Sequence, residues 1–140
     1  MFSLNNMPEI RASVMVTVLL LLFGFAPASC AQQAAKVTGT YTNMHFNKEG
    51  GDLLGQELKI VLTRKGYQAA LQFAEGGAGE LIIVEINIEG EKISFVIPDS
   101  YADAGQFSGT IQNGVIRGLF RFKGGGEERA ELKRGKSYWD

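Results

Sequence analysis

The chain has 140 residues, enough for one domain and too few for two independent cores. Its 45% hydrophobic and 21% charged content excludes a disordered chain. A formal net charge of -1 excludes the broad basic field that favours nucleic acid, and a single histidine with a single cysteine cannot build a Cys/His zinc site.

Residues 1–30 have the layout of an export signal. Arg11 precedes the uncharged run Ala12 to Ala28, centred on Val18-Leu19-Leu20-Leu21-Leu22-Phe23, and the small residues Ala26, Ala28, Ser29, Cys30 and Ala31 follow. A basic flank, an apolar core and a small-residue exit describe a secretory signal peptide, and the run is short for a membrane span of about 20 residues. Met7 offers an alternative start with a shorter n-region. Cys30 leaves two routes open. As the lipidated first residue of a bacterial lipoprotein it follows Pro27-Ala28-Ser29, where Ala and Ser fit the lipobox and Pro27 does not. Plain cleavage after Ala28 or Ala31 fits the small-x-small rule. On either route the protein is exported, to the periplasm, the outer membrane or the exterior of a bacterial cell. Any membrane contact is through the signal or a lipid anchor. Residues 31–36 read as a linker, and 37–140 as a fold that crosses into an oxidising compartment without cysteines of its own.

From residue 37 the apolar pattern has period two. Leu58, Ile60 and Leu62 alternate with Glu57, Lys59 and Thr63; Ile82, Val84, Ile86 and Ile88 alternate with Glu85, Asn87 and Glu89. Such alternation predicts half-buried strands. Eight are expected, at 37–42, 56–64, 67–75, 80–89, 92–98, 106–112, 115–122 and 127–134. Glycine-rich turns separate them, and Asn113-Gly114 is the strongest hairpin signal because both residues tolerate positive φ. Residues 43–55 and 99–105 are expected as loops. Eight short-looped strands predict an all-β, antiparallel up-and-down barrel in meander order, with a two-sheet sandwich as the competing architecture. Gly109 and Gly118 fall on the inward parity, where they relieve crowding. A membrane barrel is excluded by the charges on the outward parity, among them Lys59, Glu85, Arg117, Arg121, Glu131 and Lys133.

Val37-Thr38-Gly39-Thr40-Tyr41 places a Gly-x-aromatic motif on the first strand of this meander. In that it resembles the calycin group of lipocalins, fatty-acid-binding proteins and avidins, which usually carry tryptophan where this chain has Tyr41. In many of those proteins a basic residue on the last strand packs across the aromatic, and Arg134 is placed to do so. The resemblance implies a barrel that binds a ligand or a protein, without naming either.

Little conventional catalytic or metal chemistry is legible, and no cofactor is expected. His45 reads first as a loop histidine, and second as a general base or lone metal ligand at the barrel mouth. Asp99 and Asp103 flank a loop without EF-hand spacing. Arg117, Arg121, Arg129 and Lys133 alternate with Glu127, Glu128 and Glu131, which predicts cross-strand ion pairs on an outer face. Tyr138 and Trp139 are expected to close one barrel end, with a partner contact as the alternative. The inward set is then the candidate binding surface: Leu58, Ile60, Leu62, Leu71, Phe73, Phe95, Phe107, Phe120 and Phe122, with Tyr41 and Arg134. Three functions follow. The first is a non-catalytic binding protein for a small apolar ligand. The second is a protein-binding module, such as an envelope enzyme inhibitor using loops 43–55 and 99–105. The third is a barrel enzyme using His45 or a buried carboxylate.

Overall fold

The computed structural model describes residues 37–140. The signal, Cys30 and the linker lie outside the described residues. The chain forms β1 (Gly39–Thr42), β2 (His45–Asn47), β3 (Asp52–Thr63), β4 (Gly66–Gly76), β5 (Ala78–Glu89), β6 (Lys92–Ile97), β7 (Gly105–Gln112), β8 (Val115–Phe122) and β9 (Glu127–Arg134). Neighbours in sequence pair antiparallel from β2–β3 through β8–β9, and β1 closes the sheet by pairing with both β9 and β3. β1 and β2 share one register along β3, from Gly39 opposite Ile60 to Asn47 opposite Asp52, so together they act as one interrupted wall strand. The result is a closed eight-stranded meander barrel, not a sandwich.

Seven expected strands appear within a few residues of their expected ends. The departure is at 43–55, expected as a loop, which holds β2 and the first third of β3. Three residues, His45-Phe46-Asn47, are too few to show a period. The break before them is held by side chains. The Asn43 N–H donates to the Gln56 carbonyl at 3.1 Å, and Asn43 Oδ1 accepts from the Gln56 N–H at 2.7 Å. Thr42 Oγ1 accepts from the Met44 N–H at 3.0 Å. Local side-chain bonds thus replace the ladder where the strand kinks.

Asn113 has φ 51° and Gly114 φ 74°, the left-handed pair of a tight hairpin turn. Gly109 and Gly118 face each other across β7 and β8. A Cβ on Gly118 would strike the Phe107 ring and the Ser108 carbonyl, and one on Gly109 would strike the Arg117 carbonyl. These two glycines let a large ring lie flat against the wall.

The inward parity supplies the core: Leu58, Ile60, Leu71, Ile82, Val84, Ile97, Phe107, Ile116, Phe120 and Leu132 are buried in one cluster. Leu62, expected inward, is 53% exposed. It pairs with Tyr67 one position before the Thr63–Gly66 turn, so alternation toward the core does not carry burial to the end of the strand. A second small cluster joins Met44, Leu53 and Ala74 beside the β1–β2 break.

Candidate functional site

The Phe rings decide what the interior can do. Wall strands β4 and β8 stand opposite each other in the barrel, yet the Phe73 and Phe120 centroids are 5.2 Å apart. Phe95 stacks on Phe107 at 5.0 Å, and Phe107 meets Phe120 at 4.7 Å. Phe122 lies 6.0 Å from both Phe73 and Phe120. Aromatic pairs at these spacings are in contact, so rings from facing walls fill the lumen at this level. Leu62 apart, the expected inward residues from Leu58 to Phe120 are buried in the core, and Phe122 is packed against them, half-buried at the rim.

At the Phe73 end a polar bridge crosses the rings. Gln56, opposite Phe73 on β3, is 4% exposed. Its Nε2 donates to Glu128 Oε1, and its Oε1 accepts from Asn43 Nδ2 at 3.3 Å. Glu128 was expected on the outer face among the basic stripe. It stands opposite Phe120 and on the parity of Ala130 and Leu132, so it faces the lumen. Two cross-strand pairs of that stripe are as expected, Arg117 with Glu131 at 3.0 Å and Arg121 with Glu127 at 2.9 Å, all exposed, whereas among the described residues Arg129 is in no ion pair.

Beside β1, Tyr41 and Arg134 are opposite each other across β1 and β9. Tyr41 is fully buried, and its hydroxyl donates to the Val37 carbonyl at 3.0 Å. Arg134 Nη2 donates to that hydroxyl at 2.8 Å, with the guanidinium carbon 5.2 Å from the ring centroid. Both residues are therefore committed to closing the barrel wall. Of the other candidates, His45 is exposed, with Nδ1 3.0 Å from the Asn43 carbonyl. Lys123 holds Asp99 at 2.6 Å. Among the described residues no three His, Cys, Asp or Glu side chains gather as a metal site.

The C-terminal tail does not close a barrel end, because it is held on the outside by a buried carboxylate. Glu57 has the outward parity, yet it is 7% exposed. Ser137 Oγ donates to its Oε1 at 2.6 Å and the Tyr138 N–H to its Oε2 at 2.8 Å. Trp139 Nε1 donates to Gln72 Oε1 at 2.9 Å on β4. The tail thus leaves β9, crosses β1 and is anchored on β3 and β4. The signal sequence reasoning could have used was the pair of outward side chains Glu57 and Gln72, but nothing in their spacing pairs them with residues 80 and 67 positions later.

Trp139 stays 55% exposed, and Gln72, its partner, is directly opposite Leu81 on β5. Leu81 and Ile83, both 55% exposed, and Val96, at 66%, continue an apolar strip along the outer wall. Here the β5–β6 ladder covers only Ile86–Glu89 against Phe95–Lys92. Beyond it the strands part, and a cleft of about 870 Å³ opens over Ile83, Val84, Glu85, Phe95, Val96 and Gln106. Sequence patterning missed this feature because Leu81, Ile83 and Val96 fall on the polar parity.

No family model, no curated protein and no solved structure matches the chain.

Proposed function

We propose that this is an exported, non-catalytic β-barrel of calycin-like architecture that works by binding another protein on its outer wall. The observation that carries the reading is the inversion of apolar surface. Phe73 and Phe120 meet across the lumen, while Leu81, Ile83, Val96 and Trp139 are exposed outside. A contiguous exposed apolar strip on a small barrel is the ordinary mark of a protein contact. The Gly39-x-Tyr41 motif, the Arg134 contact across Tyr41 and the meander order support the calycin kinship. The signal-like residues 1–30 support export, with either free secretion or lipidation at Cys30. The partner is then an envelope or extracellular protein. The surface differs from the loop tips expected for an inhibitor.

Photo-crosslinking residues placed at Ile83 and Val96 in the native host test the reading. Discrete adducts there, absent from a site at Arg129 on β9, are expected. Equal adducts at all three positions, or none at Ile83 and Val96 in folded protein, remove it.

A second reading, a small apolar ligand in the barrel, has one observation in its favour. Half-buried Phe122 and the inward-parity carboxylate of Glu128, opposite Phe120, lie on the same two strands. Such a ligand must part Phe73 from Phe120, and its entry is read by the methyl groups described at the end of the Discussion.

A further inference from the structure

The open seam between β5 and β6 carries more than apolar surface. One edge of β5 is bonded to β4 from Ala78 to Ile86, with a bulge at Gln72/Ala74. The other edge is paired with β6 only from Ile86 onward, and among the described residues no strand pairs with it from Ala78 to Glu85. The cleft opens over the Ile83–Glu85 end of that stretch. An unpaired edge is a template for another extended chain, and folded proteins usually blunt such edges with lysine, proline or a covering loop. Here the exposed side chains on it are Leu81 and Ile83.

The charge around the edge is one-sided. Residues 66–91, which span β4 and β5, contain five glutamates and no lysine or arginine. Glu80 and Glu85 both lie on the open edge, both exposed, and among the described residues neither is in an ion pair. Elsewhere on the barrel the carboxylates of Asp99, Glu127 and Glu131 are paired with cations. The one cation beside the cleft is Lys65, on the β3–β4 turn.

We infer that the Ala78–Glu85 edge of β5 receives an extended, basic segment of the partner protein as an added strand. Backbone pairing along the open edge holds it, its outward apolar side chains cover Leu81, Ile83 and Val96, and an outward lysine or arginine on the same face meets Glu85, which shares the parity of Leu81 and Ile83. This rests on the outer-wall reading above and narrows it to one mode of binding and one charge of partner.

Three synthetic peptides of about eight residues test it, a length typical of a strand. One, Lys/Val, sets Val, Val, Lys and Lys along one face with threonine at the positions between; the second, Glu/Val, has glutamate in place of lysine; the third is the Lys/Val peptide with alternate amides N-methylated. Amide shifts and hydrogen exchange are followed on the whole mature protein. The Lys/Val peptide is expected to protect alternate amides within Leu81–Glu85. Glu85→Lys, an exposed change that leaves the fold intact, is expected to weaken it about fivefold, the upper range for an exposed charge pair. The other two peptides are expected not to bind. Equal binding by the N-methylated peptide overturns strand addition, and equal binding by the Glu/Val peptide overturns the basic partner. Self-association through this edge at rising protein concentration overturns both in favour of a second copy. Shifts confined to Trp139 and Tyr138 overturn strand addition and leave outer-wall binding standing, whereas loss of the Ile83 and Val96 crosslinks removes the wider reading independently.

Discussion

Single side chains close this barrel at the β1–β9 seam, where the ladder alone is thin. Tyr41 is buried with its hydroxyl donating to Val37 and accepting from Arg134. Removing the hydroxyl in Tyr41→Phe deletes its bonds to both residues and leaves the Val37 carbonyl without that donor. A loss of about 1–2 kcal/mol is expected in urea unfolding, within the range for a buried hydrogen bond with one partner stranded. Arg134→Ala removes the guanidinium but spares the bond to Val37, so about 1 kcal/mol is expected. Gly118→Ala acts differently, since its methyl group meets both Phe107 and backbone. Overpacking of this kind costs about 1–3 kcal/mol, and the same urea curves should show it as a fall in midpoint at unchanged slope. The pairing of Tyr41 with Arg134 was legible through the calycin resemblance, which implies a basic residue of the last strand across the first-strand aromatic, whereas strand order alone does not set the register at which they meet. The inward turn of Glu128 was legible from parity alone, but the neighbouring Glu127 and Glu131 drew it into an ion-pair pattern that only those two satisfy.

At the level of elements, the tail and the β5–β6 seam are complementary cases. The closing seam is short: β1 pairs with β9 at two positions, Tyr41–Arg134 and Thr42–Lys133. The tail strengthens it by running from β9 over β1 to Glu57 and Gln72. Glu57→Ala should free the tail. Trp139 is the only tryptophan, so its fluorescence reports this directly. Quenching by acrylamide is expected to rise, with a stability loss of about 1–3 kcal/mol for the charge-assisted bonds removed. Unchanged quenching would mean the tail is held by other contacts. The β5–β6 seam has no such strap. Its four paired positions end at Ile86–Phe95, so the open-edge amides of Leu81–Glu85 should exchange faster than those of the eleven-position β3–β4 ladder. Strand existence was legible from period two because one buried face imposes it. Strand pairing length was not, since where a ladder stops depends on how the closed sheet coils, and that leaves no mark in alternation. β2 was illegible for a simpler reason, being shorter than two periods.

For the whole molecule, the account turns on which face of the barrel works. Alternation marks which residues point inward, but not whether the lumen is hollow; that follows from rings on β4 and β8 reaching each other. It also treats outward positions as solvated, so the exposed strip from Trp139 to Val96 stood outside the expected binding surface. The most direct measurement is a methyl NMR spectrum of the mature protein labelled at Ile, Leu and Val. It is recorded with dodecanoate as the apolar probe and, separately, with the Lys/Val peptide. The account predicts that Ile60, Leu71 and Ile97, all buried, keep their shifts under both additions, while Leu81, Ile83 and Val96 move with the peptide. Saturable shifts of Ile60, Leu71 and Ile97 on adding dodecanoate, with Leu81, Ile83 and Val96 silent to the peptide, would contradict it and make the lumen the working face.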